Sequence, residues 1–125
     1  MKPSRLVAID HILIQAALGK EDVIRWFYLD VCKLEEVANG HGQLVFRSAR
    51  LELRVQLVEE TKVDPVRRRF TVNVPSLNEA MELLSEREVS FVRLSGFTYT
   101  DRRIGTNDPA GNRVELKQEW PEAPL

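Results

Sequence analysis

Apolar and polar residues alternate in short runs along the first half of the chain, and this alternation predicts β-strands. In residues 6–15, Ile12 and Ile14 fall on one face of the predicted strand, and His11 falls on the other. Asn39 to Gly42 reads as a turn between two later strands. The strands predicted in this half span residues 6–15, 34–37, 43–47 and 49–59.

Two segments have helical rather than alternating spacing. Residues 20–33 place mostly apolar side chains three and four positions apart, which predicts an amphipathic helix. Residues 76–87 predict a second helix, with Ser76 as the N-cap and Glu79 as its capping-box partner. The stripe of the first helix is Val23, Trp26, Phe27, Asp30 and Val31, and that of the second is Ala80, Leu83 and Leu84.

The order strand, helix, strand, strand, strand occurs a second time after a linker at 61–65. Residues 50–54 (RLELR) match residues 113–117 (RVELK) almost position for position, and each segment closes one half. We therefore predict one domain over 1–125, made of two half-modules at 5–60 and 66–119. The strands predicted in the second half span 69–74, 90–94, 97–104 and 112–119.

Four of these strands present one apolar and one polar face, because successive side chains point to opposite sides. The apolar faces should pack on the helices. The polar faces either lie flat in water or curl into a cleft, and the repeated pairing of His11 with Glu52 and of Arg69 with Glu115 favours the cleft. The polar faces carry His11, Gln15, Glu52, Arg54, Gln56, Arg69, Thr71, Asn73, Arg113, Glu115 and Lys117.

Three motifs support a family resemblance. Residues 108–116 (DPAGNRVEL) closely resemble the DPxGNxxEL signature of the glyoxalase/bleomycin-resistance/dioxygenase (vicinal oxygen chelate) superfamily. Residues 10–12 (DHI) resemble its opening strand, and 27–37 (FYLDVCKLEEV) resemble its helix exit, with Lys33 where relatives usually have Gly. The resemblance implies an α+β fold in which two tandem βαβββ modules form a curled mixed sheet around a cleft.

The superfamily typically holds a divalent metal with four side chains, and the resemblance places these positions at His11, Glu52, Arg69 and Glu115. Arg69 stands where relatives usually have His, and a guanidinium cannot ligate. It would oppose a divalent ion 4 Å away by about 8 kcal/mol at an effective dielectric of about 20, whereas two carboxylates attract it. We therefore expect no metal cofactor. Alternatively, Arg69 swings aside and the other three residues hold one divalent metal (Mn, Zn, Ni or Fe).

A basic excess on the polar face suits a small anionic or oxygen-rich ligand. Three functions are compatible with these residues: a metal-free binding module, a metal-dependent lyase, isomerase, transferase or dioxygenase, and an interaction protein that uses the fold to dimerise. Whether the protein is catalytic stays open. The expected ligand-binding residues are Arg54, Gln56, Arg69, Thr71 and Arg113.

Composition narrows the class of partner. Hydrophobic residues make up 43% and charged residues 30% of the chain, and the net charge of −1 predicts neither a nucleic-acid nor a membrane surface. No apolar run approaches the roughly 20 residues that span a bilayer, and the first ten residues lack the apolar run of a signal peptide. Cys32 is the sole cysteine, which favours the cytoplasm. The resemblance implies a homodimer.

Overall fold

A computed structural model describes residues 9–64, 69–94 and 102–118. The described strands and helices follow the repeated order that the sequence predicts. The elements are β1 (Asp10–Ala17), α1 (Glu21–Arg25), a π-helix (Trp26–Val31), β2 (Glu35–Gly40), β3 (Gln43–Arg47), β4 (Leu51–Val58), a 3₁₀ helix (Glu60–Lys62), β5 (Phe70–Val74), α2 (Leu77–Glu86), β6 (Phe91–Leu94), β7 (Arg103–Asn107) and β8 (Arg113–Gln118).

The strands form two four-stranded mixed sheets of identical topology. The first sheet has the order β1-β4-β3-β2 and the second β5-β8-β7-β6. In each sheet the first and last strands of the module pair in parallel, and the other neighbours pair antiparallel. The α+β fold with two βαβββ modules is thus confirmed. Among the described strands, the two sheets do not close on each other. The half-module boundaries stay a prediction.

One core joins the two modules. Ile14 of β1, Leu53 of β4, Val72 of β5 and Leu116 of β8 are buried on the helix-packed faces of their strands, as the alternation predicts. The described part of β7 runs from Arg103 to Asn107, so it overlaps the end of the predicted strand 97–104 and extends three residues past it. Residues 95–101 and the predicted tail 120–125 lie outside the described residues.

The predicted helix at 20–33 is an α-helix for one turn and a π-helix afterwards. The predicted stripe is wrong at two positions, because Val23 is 38% exposed and Asp30 also faces solvent. The wider π turn buries three consecutive aromatic side chains, Trp26, Phe27 and Tyr28, which an ideal α-helix would spread around its circumference. Packing of these rings against the core therefore overrides the α-helical period.

The start of α2 matches its prediction in part. The Ser76 hydroxyl accepts a hydrogen bond from the Glu79 backbone N–H at 3.2 Å, which confirms the N-cap. The Glu79 carboxylate, however, lies 3.0 Å from Lys33 Nζ in the other module. Lys33 has φ +60°, a left-handed conformation that favours glycine. This ion pair partly offsets the backbone cost of having lysine there.

Candidate functional site

The polar face of the first sheet centres on Glu52. Its Oε2 atom lies 3.0 Å from His11 Nδ1 and 3.6 Å from Arg54 Nε, and Arg47 Nη2 donates to Oε1 at 2.6 Å. The Glu52 side chain is only 10% exposed, whereas that of His11 is 69% exposed. The hydrogen bond from Arg47 is the main cause that lowers the pKa of Glu52, aided by His11 and Arg54. Both oxygens of this carboxylate are engaged by cationic groups.

The polar face of the second sheet repeats this arrangement around Glu115. Arg69 Nη1 donates to Oε1 at 3.0 Å, and Arg103 Nη1 lies 3.6 Å from Oε2. Thr71 is the register partner of Glu115 on β5 and adjoins this cluster. Arg103 was missed by sequence reasoning, because its position depends on where β7 begins. Its register partner Lys117, which was placed on the polar face, is the signal that could have found it.

The four positions that the resemblance assigned to a metal carry side chains that are engaged in ion pairs or hydrogen bonds with one another or with other arginines. Among residues 9–64, 69–94 and 102–118, no three His, Cys, Asp or Glu side chains are grouped so that they could hold one. The carboxylates of Glu52 and Glu115 each contact two guanidinium groups, whose charge opposes a divalent cation. His11 is thus left with a carboxylate that arginines already neutralise.

A cavity of about 250 Å³ opens at one end of the second sheet. Arg69 and Arg113 both line it, and they are neighbours because the residues that follow them, Phe70 and Val114, are register partners. No ion pair to Arg113 is found within the described part of the chain. The rest of the lining includes Ser90, Val92, Leu94, Gly105, Thr106 and Asn107.

The five predicted ligand-binding residues divide between the two sheets. Arg69 and Arg113 line the cavity, and Thr71 lies on the same sheet beside Glu115. Arg54 and Gln56 lie on the first sheet, where Arg54 contacts Glu52 and Gln56 pairs in register with Gln15 and Gln43. The structure therefore brings together only part of the predicted set.

The signature at 108–116 has a structural role. Asp108 Oδ1 accepts from the backbone N–H groups of Ala110 and Asn112, each at 2.9 Å, and Oδ2 accepts from the Tyr28 hydroxyl at 2.6 Å. Asn112 Nδ2 also donates to the Gln15 carbonyl at 3.1 Å. Burial raises the pKa of Asp108. These bonds fasten the loop before β8 to the helix and first strand of the other module.

Comparisons with known proteins support the fold. No family model and no curated protein matches the chain. A glyoxalase family protein from Bacillus anthracis superposes with a TM-score of 0.70 at 21% identity, over 95% of this chain and 100% of that one. A fosfomycin resistance protein from Listeria monocytogenes, complexed with Mn(II) and sulfate, gives 0.68 at 15% identity over 92% of each chain. Lactoylglutathione lyase from Agrobacterium tumefaciens gives 0.60 at 24% identity, over 94% of this chain and 96% of that one.

These likenesses confirm the resemblance at the level of the fold. The described helices are all too short or too polar to cross a membrane.

Proposed function

We propose that this chain, whose fold is that of the vicinal oxygen chelate superfamily, binds a small anionic ligand without a metal. Arg69 and Arg113 would hold the anion in the cavity at the end of the second sheet. The apolar side chains of Val92 and Leu94 in the same cavity would contact the rest of the ligand. A volume of about 250 Å³ suits a ligand of few atoms.

The position of Arg113 is the observation that carries this proposal. Arg69 is engaged by Glu115, which it shares with Arg103, whereas no described carboxylate pairs with Arg113. Two adjacent guanidinium groups repel each other, and a bound anion would relieve that repulsion. Arginine also presents a planar fork of donors that matches carboxylate, phosphate and sulfonate groups.

The proposal that no metal takes part is an electrostatic argument about Arg69 and the two carboxylates. The fosfomycin resistance protein of similar fold was solved with both Mn(II) and an oxyanion. In the present chain, Arg69 would supply positive charge where a cation would otherwise be needed. Arginine side chains also neutralise Glu52 and Glu115, so these carboxylates would attract a divalent ion only weakly.

A thermal-shift series tests anion binding. Inorganic phosphate, sulfate, acetate and methylphosphonate would each be titrated into the wild type and into R113Q. At least one anion should raise the melting temperature of the wild type, and the shift should disappear in R113Q. R93Q is the matched control, because Arg93 is an exposed arginine that does not line the cavity. Equal shifts in wild type and R113Q would refute the proposal.

Metal analysis tests the alternative function. A metal-dependent lyase, isomerase, transferase or dioxygenase would use His11, Glu52 and Glu115 as metal ligands. These ligands would come together across two chains, or within one chain after Arg69 moves away. Protein purified without chelators should contain far less than one equivalent of Mn, Zn, Ni or Fe. About one equivalent per chain would favour the enzyme and overturn the metal-free proposal.

We further propose that the protein is a cytoplasmic homodimer. Leu13 on the polar face of the first sheet is 59% exposed, and Val37 of β2 in the same sheet is 42% exposed. A second copy of the chain would cover such apolar side chains. Light scattering coupled to gel filtration measures the mass, and a monomer at all concentrations would contradict the dimer.

A further inference from the structure

A second, larger cavity lies between the two modules, close to the end of α2. It has a volume of about 430 Å³, within the range of roughly 300–1,000 Å³ typical of ligand pockets. Val23, Trp26 and Phe27 of the first module form one wall, and Val89 and Pro109 of the second module form another. The cavity is therefore mostly apolar and aromatic, and neither arginine of the proposed anion site lines it.

Arg87 supplies the cationic group of this cavity. Its Cζ atom lies 4.4 Å from the centroid of the Trp26 ring, so the guanidinium is held over the indole. No carboxylate pairs with Arg87 in the part of the chain that the structure describes. The guanidinium carries five N–H donors, and those that do not point at the indole ring can bind an anion.

The polar groups on the opposite side limit where an anion can sit. Asp108 also lines the cavity, and its oxygens already accept from Tyr28, Ala110 and Asn112. Its negative charge would repel an anionic group and direct it toward Arg87.

We propose that this cavity is a second binding site, for a small aromatic carboxylate. The ring would lie against the apolar and aromatic wall, and the carboxylate would accept hydrogen bonds from Arg87. The class follows from the combination of an apolar lining with one cationic fork. This site is independent of the anion site on the second sheet.

Calorimetry with 2-naphthoate and its neutral analogue 2-naphthamide tests the site. The wild type should bind naphthoate at least about ten-fold more tightly than naphthamide, and R87Q should lose at least about ten-fold in affinity for naphthoate. R93Q should bind like the wild type. V23F should also weaken binding, because Val23 is a partly exposed wall residue whose enlargement narrows the cavity.

Two further measurements localise the ligand. In a W120F background, the indole N–H resonance of Trp26 should shift on addition of naphthoate. The double variant R69Q/R113Q should keep its affinity for naphthoate, so that failure of the anion site and failure of this site are distinguishable.

Three outcomes would overturn the inference. One is an unchanged affinity in R87Q, or no binding at millimolar naphthoate. Another is loss of binding in R69Q/R113Q, which would assign naphthoate to the second sheet. The third is a naphthoate affinity that falls as the protein associates, which would make this cavity an interface between two copies of the chain.

Discussion

The hydrogen bond between Tyr28 and Asp108 should be a main link between the modules, and replacing Tyr28 by Phe tests its strength. The two atoms lie 2.6 Å apart and both residues are buried, so water cannot replace the lost donor. A buried hydrogen bond to a charged group contributes about 1.5–3 kcal/mol. We expect Tyr28→Phe to lower the free energy of unfolding by about 2 kcal/mol at neutral pH.

The loss of stability in Tyr28→Phe should increase with pH. Burial raises the pKa of Asp108, and hydrogen bonds from Tyr28 and Asn112 oppose that rise. Because the pKa of Asp108 is higher in the folded protein than in the unfolded chain, the protonated carboxyl favours the folded state. This contribution to stability is fully present below the unfolded pKa of about 3.9 and is lost as pH rises through the folded pKa. Without the Tyr28 donor the folded pKa rises further, so the variant loses more stability as pH increases.

Urea unfolding of the wild type and Tyr28→Phe at about pH 3.5 and at about pH 7 measures this difference. The cost should fall to about 1 kcal/mol at the lower pH, where a neutral carboxyl accepts the bond. In an Asp108→Asn background the cost should no longer vary with pH, because the titrating group is gone. A cost that is equal at both pH values in the native background, or greater in acid, would refute the reasoning.

Three other substitutions have defined outcomes. Lys33→Gly should relieve the backbone strain at φ +60° and lose only a partly exposed ion pair with Glu79. The free energy of unfolding measured in urea should therefore rise by about 0.5 kcal/mol, and a fall of more than about 1 kcal/mol would contradict this. The hydrogen bond from Arg47 lowers the pKa of Glu52, so this ion pair should stabilise the protein above the unfolded pKa of Glu52 and stop doing so as pH falls through the folded pKa. Arg47→Gln should therefore raise the pKa of Glu52, which NMR titration measures. Gly105→Ala should fold normally, since an added Cβ would meet side chains no closer than 3.5 Å, whereas Gly105→Leu should abolish anion-dependent thermal shifts by filling the cavity.

The winding of the first helix and the hydrogen bond from Arg47 to Glu52 were beyond sequence reasoning, whereas the pairing of His11 with Glu52 was predicted. Trp26 to Tyr28 wind as a π-helix because three adjacent rings fill one core, which is a property of the packed modules. Arg47 reaches Glu52 because β3 and β4 pair in that register. Likewise, the motif containing Asp108 signals the fold in the sequence, but its bond to Tyr28 spans 80 positions.

The alternation of apolar and polar residues determined the face on which the side chains of β1, β4, β5 and β8 lie, and the repeated order of strands and helices determined the two βαβββ modules. Successive side chains of a strand point to opposite faces, so only one register buries Ile14 and Leu116 and keeps Glu52 and Glu115 on the polar face. Only the tertiary structure decided that the polar groups form two separate arginine–carboxylate clusters in one chain, because the distance between strands of different sheets depends on how the modules pack, which no local pattern encodes.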